Sequence, residues 1–498
     1  HTCSKSRKQV NSLIESNVIE YPDPNQSLLI ERLDEAIKQL EQAPSFSKPT
    51  KAGRLFDTVK RVLHANGGFK IISQHIERIE KAGAFDNSDY AKPQILIPAL
   101  SAPALLSNDV YTVIIETLSE LRFLAVTKQE YVHPEISSEQ AHHFLTQVLA
   151  VNLKRLFSAA DEAERELQGR LAEISRGLLH HLAESIGYEH VIDQLIDEIW
   201  RILQQRPIQV DHVKQMVTQI AICRQNPDID MGNSGQGADR LISSLFGPTQ
   251  ACREDPGVEI YKQRLQSMDN AALQYEASGF ARAMHDTGLV SPYHSVLLRH
   301  LSEETDYLLS EALGLSSTGR DCLLSFSDLV RALIAKAIHP ETAQAVYGLS
   351  LMLERGILYQ PAMAPSLWRQ LSLPLSPAAE ERLNSLFGDS PGASSRLLEG
   401  VLCVLGQPLG IGQGNNPTCQ SARAMSMWAY NDPDYLLQMV VWAARDDEII
   451  MHFEGKAISS QDSLSGLASH LPMDLDPVSL ILVPHLDRIY AEMGRCCI

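Results

Sequence analysis

The stretch "SLLIERLDEAIKQL", residues 27–40, sets the fold class. Leu29, Leu33, Ile37 and Leu40 recur at i, i+4, i+8 and i+11, an apolar stripe on one face of a 3.6-residue helix. The same period returns through the first three-quarters of the chain. Asp109 is placed to cap "VYTVIIETLSELRFL", and Ser138-Glu139 opens "QAHHFLTQVLAVNLKRLF". In "DEAERELQGRLAEISRGLLHHLAESIG" (161–187) acids crowd the first turns and Gly187 follows the end, as the helix dipole and C-cap prefer. Helices are also predicted over 190–204, 210–223, 257–276, 292–313, 325–337, 341–356 and 377–387. No fixed-period repeat runs through them, so a regular helical array is not expected.

The texture changes after "GDSPGASS". "LLEGVLCVLG" (397–406) reads as a buried strand or a short helix, and "EIIMHF" (448–453) and "SLILVP" (479–484) read as strands. Helices are predicted at 418–430, 433–445 and 486–494, with Asp432-Pro433 as a stop and restart. The expected fold is mostly α: a large irregular multi-helical region followed by a small C-terminal α/β unit. Stretches 42–53, 224–240, 247–257 and 360–380, rich in turn-forming residues, read as linkers or surface loops. The expected divisions are 1–45 (N-terminal arm), 46–245 and 246–390 (helical domains) and 391–498 (the α/β unit).

Composition narrows the class of function. At 498 residues, 44% hydrophobic and 21% charged, the chain is a folded globular one with room for several cores. A net charge of −18 argues against nucleic acid and anionic membrane surfaces as partners. There is no apolar run long enough for a membrane span and no signal-peptide core at the N-terminus. Eight scattered cysteines without a CxxC pair fit a reduced compartment, so a cytoplasmic location is expected. The chain opens on His1 and closes on Cys496-Cys497-Ile498, and both ends read as cut.

One stretch promises chemistry: "LGIGQGNNPTCQSARAMSMWA", residues 409–429. A Gly- and Asn-rich loop leads into Pro417-Thr418-Cys419, and a helix-forming run follows. Thr418 is a suitable N-cap, which puts Cys419 in the first turn, where unpaired backbone N–H groups favour an anionic sulfur. A thiolate so placed is a competent acyl-transfer nucleophile. The stretch resembles the nucleophile region of papain-like thiol proteases. In that family a glutamine six residues before the cysteine helps form the oxyanion hole, and the cysteine heads a long helix. Gln413, followed by Gly414, stands six residues before Cys419.

The resemblance implies a thiol hydrolase or acyltransferase acting on a protein or peptide. Cys419 would be the nucleophile, Gln413 an oxyanion donor, and a downstream histidine the base. Pro417-Thr418-Cys419-Gln420 departs from the family's Gly-Ser-Cys-Trp, and the aromatic after the cysteine is missing. The chain also ends short of the roughly 130–150 residues that separate cysteine and histidine in papain. His452, in the expected strand, and His485, after "SLILVP" and two residues before Asp487, are the two candidate bases; His470 lies in a Ser- and Leu-rich loop. The competing expectation is a helical scaffold that binds partner proteins and does no chemistry.

Other constellations carry less. "DIDMGNSGQGAD" (228–239) begins like a calcium loop but has Asn233 and Asp239 where Gly and Glu belong. His142-His143, His180-His181 and His190 lack metal-ligand spacing, so no metal and no cofactor are assigned. Met425, Trp428, Tyr435, Met439 and Trp442 recur at helical spacing and are assigned to the core.

Overall fold

The computed structural model describes residues 24–152, 155–156, 170–225, 234–254, 257–414, 417–468 and 475–497. It is 74% helical, and one two-stranded antiparallel hairpin is the only sheet among the described residues. The calcium-like loop and His470 lie largely or wholly outside them. The chain forms two compact units. One is drawn from the described residues up to Gln194, the other from Leu195 onward.

In the first unit the central helix is α1 (Val110–Thr127), buried without interruption from Val113 to Val126. A helix apolar nearly all round belongs inside a bundle. It packs on helices Lys48–Leu63, Gly68–Lys81, Ser138–Val151 and Arg170–Ile186. Asp109 caps it as expected: its carboxylate accepts from the Thr112 backbone N–H at 2.9 Å and from the Thr112 hydroxyl at 2.7 Å. The buried charges on α1 are partly satisfied in place, with Glu120 Oε2 and Arg122 Nε left without a partner. The Arg122 guanidinium donates to Glu80 at 2.8 Å and to the Tyr90 carbonyl at 3.0 Å, and stacks over Phe85. Tyr90 donates to Glu116 at 2.6 Å, and burial together with the Glu116 charge holds the Glu120 carboxyl well above the usual range. Gly187, at φ +92°, ends helix Arg170–Ile186 where the sequence places its C-cap.

In the second unit α2 (Asn270–Thr287) carries a buried carboxylate. Thr249 and Tyr261 both donate to Glu276 at 2.7 Å. The core centres on the crossing of α3 (Ala345–Glu354) and α4 (Ala393–Gly406). Glycines permit that crossing: a Cβ on Gly348 would lie 2.7 Å from the Cys403 nitrogen, and one on Gly406 would overlap the Gly348 backbone. Next come α5 (Cys419–Asn431) and α6 (Pro433–Val441), which runs on into a π-helical turn, Trp442–Asp446. Asp432 accepts from the Tyr435 N–H and Pro433 takes the first helical position, so this stop and restart is as expected. Met425 and Met439 are core residues, and Trp428, Tyr435 and Trp442 are partly buried against the core.

The hairpin pairs β1 (Ile450–Phe453) with β2 (Lys456–Ser459) through Glu454-Gly455, both at positive φ, the conformation that a tight two-residue turn requires. One expectation is corrected here. "SLILVP" is no strand; it is the start of α7 (Pro477–Cys496), capped by Asp476, whose carboxylate accepts from the Val478 and Ser479 N–H groups at 3.0 Å. Of the two readings of "LLEGVLCVLG", strand or helix, the structure shows the helix, within α4. Several expected helices are shorter or broken: 257–276 divides into Val258–Leu265 and the start of α2, and 292–313 breaks after Glu304. The stretches read as loops at 42–53, 247–257 and 360–380 each carry helical turns. No described helix is long and apolar enough to cross a membrane.

Candidate thiol site and the two histidines

The segment before Cys419 is anchored at its upstream end. Pro408–Gly410 forms a 3-10 turn, the Ser426 hydroxyl donates to the Pro408 carbonyl at 2.6 Å, and the Ile208 N–H donates to the Gly410 carbonyl at 3.3 Å. Gly410 is required there, because a Cβ would overlap the Arg206 carbonyl oxygen. Gln413 stands on the exposed part of this segment, and Gly414 takes a left-handed φ of +58°.

Cys419 is the first residue of α5, and it is exposed. Thr418 occupies the N-cap position but makes no capping bond; it is 3% exposed and its hydroxyl oxygen has no partner. The expected Thr418 cap is therefore absent, and the N–H groups of the first turn are not used by it. One turn on, Arg423 is also exposed, followed at helical spacing by Met427 and Tyr430. Cys419, Arg423, Met427 and Tyr430 thus form the outer face of α5, while Ala422, Met425 and Ala429 form its inner face.

The other cysteines of the second unit divide sharply. Cys223, Cys252, Cys322 and Cys403 are buried, and burial pushes their thiols up, Cys223 to about 12 and Cys322 to about 11. Such thiols are inert packing. Cys496 and Cys497 are exposed at the end of α7.

His452 lies on β1, exposed, opposite Ala457 on β2. His485 lies on α7 and is 2% exposed. Its Nδ1 is 2.9 Å from the Ser460 hydroxyl, and its Nε2 faces Asp447 at 3.6 Å. The Ile449 N–H donates to that same hydroxyl oxygen at 2.9 Å, so Ser460 bridges the hairpin end and the imidazole. Arg382 pairs with Asp447 at 3.3 Å, and Arg488 reaches the Ser460 carbonyl at 3.5 Å. Burial, with Arg382 and Arg488 close by, outweighs Asp447 and holds the His485 ring down at about 4. The cluster ties together helix Pro377–Phe387, the turn after α6, the end of the hairpin and α7. Asp487, next on α7, accepts from the Ala468 N–H at 2.8 Å.

The structure thus places Cys419 and Gln413 on the surface, His452 on an exposed strand, and His485 in the core with both ring nitrogens turned to other groups. No hydrogen bond joins Cys419 to an imidazole among the described residues. Ser460 and Asp447, the partners of His485, were missed from the sequence; no spacing links them. No group of three or more His, Cys, Asp or Glu residues among those described is placed to hold a metal ion. Comparison of the chain with protein-family models, with curated proteins and with solved structures finds no match.

Proposed function

We propose that Cys419 is the nucleophile of a papain-like thiol hydrolase or acyltransferase acting on a protein or peptide. The observation that carries this reading is the exposure of Cys419 on the first turn of α5, where Thr418 makes no cap, in a unit whose four interior cysteines are buried. Sulfur attacks the substrate carbonyl, and the thiol proton passes to an imidazole. The oxyanion accepts from the Cys419 N–H and the Gln413 side-chain amide. The leaving amine takes the proton back, and water or an amine then cleaves the thioester. His452 is the more accessible base, since it is exposed and His485 is committed to Ser460 and faces Asp447. Free thiols throughout the core suit a reducing compartment, which supports a cytoplasmic location, and the net charge of −18 supports protein rather than nucleic acid as substrate.

A second reading has its own support. The absence of an imidazole bonded to Cys419 among the described residues favours a helical scaffold that binds partner proteins without chemistry. Incubation with a defined peptide mixture, read by mass spectrometry for new termini and acyl-transfer products, separates the two. The hydrolase reading predicts products from the wild-type chain that vanish in Cys419→Ala and fall steeply in His452→Ala. Identical product spectra for wild type and Cys419→Ala would leave the scaffold.

A further inference from the structure

The outer face of α5 carries more than the thiol. Cys419, Arg423, Met427 and Tyr430 follow one another along it, and all four are exposed. The Ser426 hydroxyl donates to the Pro408 carbonyl at 2.6 Å, which holds the 408–410 turn against the helix and sets Leu409 near Tyr430, at the end away from Cys419. Leu409 is 79% exposed, Tyr430 58% and Met427 54%. Large apolar side chains this open, gathered in one place, mark a contact surface.

Beside that surface the second unit opens a cleft of about 850 Å³, within the range of ligand sites. Leu351, Ile357 and Pro408 line it together with Leu409 and Tyr430. Two of the three charged side chains in the lining are spent inside the fold. Glu354 accepts from the Ser316 N–H and hydroxyl. Arg355 donates to the carbonyls of Leu405, Ala429 and Tyr430, and its guanidinium lies over the Tyr430 ring. The third, Arg206, is exposed to solvent. A ligand entering here gains chiefly by burying apolar surface against this wall.

The helix fixes how far this cleft lies from the thiol. Tyr430 comes eleven residues after Cys419. At about 1.5 Å and about 100° per residue, that places it about 16 Å along the axis and only about 20° round from Cys419. An extended peptide covers about 16 Å in about five residues. We propose that the substrate attacked by Cys419 carries a bulky apolar side chain, such as Leu, Phe or Met, about five residues from the scissile bond, and that the cleft beside Leu409 and Tyr430 holds it. The inference rests on the reading of Cys419 as nucleophile and names the class of peptide it acts on. The occupant is the substrate because one helix face carries both the thiol and the apolar rim, with Met427 between them.

The test is cleavage-site profiling with a synthetic peptide library, read by mass spectrometry. Wild type is expected to cut where Leu, Phe or Met stands about five residues from the bond, always on the same side of it, and Cys419→Ala is expected to cut nowhere. A matched pair of peptides, with Leu or Ser at that one position, should then differ about tenfold in kcat/KM. In Leu409→Ser and in Tyr430→Ala the ratio should fall to within about twofold. A ratio taken within one protein is unmoved by any loss of folded chain, and both side chains are exposed. Cuts that need Cys419 but show no apolar preference at that spacing, or a preference that survives both substitutions, overturn the inference and leave the nucleophile standing. If no cut needs Cys419, the reading of the nucleophile falls and this inference falls with it.

Discussion

His485→Asn isolates one buried imidazole and gives the sharpest prediction about the second unit. The ring lies at about 4 in the fold, against 6.5 for an ordinary histidine. A histidine whose pKa is depressed by folding stabilises the folded state fully above about 6.5 and progressively less as pH falls toward 4, because the unfolded chain then binds a proton that the fold refuses. At about 1.4 kcal/mol per pKa unit, the full loss is roughly 3 kcal/mol, of which roughly 2 kcal/mol falls between pH 7 and pH 5. Asparagine keeps a polar partner for the Ser460 hydroxyl but does not titrate. Removing the ring costs packing at both pH values, and that cost cancels in the difference. Urea unfolding followed through the tryptophans of α5 and its neighbours should show wild type losing roughly 2 kcal/mol more than His485→Asn on going from pH 7 to pH 5. Other groups, such as His294, held down at about 4 by burial, and Glu399, pushed up to about 7, titrate in both proteins and drop out. Equal losses in the two proteins, or an NMR titration of the His485 ring centred near 6.5 in the folded chain, would refute the account of the Ser460–His485–Asp447 cluster.

Three further expectations rest on packing and hydrogen bonds. Gly348→Ala forces a methyl against the Cys403 backbone, with no flexible side chain to yield, and should lower stability by roughly 1–3 kcal/mol or more, read as a reduced urea midpoint. Tyr261→Phe removes one of two donors to the buried Glu276 and should cost roughly 1–3 kcal/mol; a change under a few tenths would show that Thr249 suffices. Asp109→Ala removes both bonds to Thr112 at the start of α1 and should cost about 1 kcal/mol, localised by faster amide exchange at the first turn of that helix.

What the sequence showed follows from exposure. Helices with one wet face, such as Pro24–Glu41, announce themselves because polar residues mark the period. The run "VSLILVP" does not: Val478 through Val483 are all buried, so neither a period of two nor one of 3.6 is written in it, and Pro484 inside the helix argued the wrong way. "LLEGVLCVLG" in α4 stays open between strand and helix for the same reason. Strand β2 escaped notice because it is four residues long and its turn is Glu454-Gly455 rather than a stronger hairpin signal. At the candidate site, Cys419 heading a helix and the flexible approach to it were legible, since both are local. The occupation of His485 was not, because Ser460 and Asp447 arrive from separate elements, and neither was the missing Thr418 cap, since that residue's backbone lies at ψ 31° rather than in the extended conformation usual for an N-cap.

The central claim is that Cys419 is a working nucleophile, and covalent capture tests it most directly. The native chain would be treated with a peptidyl acyloxymethyl ketone, which alkylates the nucleophilic thiol of a thiol hydrolase with loss of its carboxylate once the peptide is recognised, and digested for mass spectrometry. Labelling at Cys419, far faster than at Cys496 and Cys497, which are also exposed, and abolished by unfolding the chain beforehand, is the predicted result. Labelling of all three at one rate, in folded and unfolded protein alike, would contradict it.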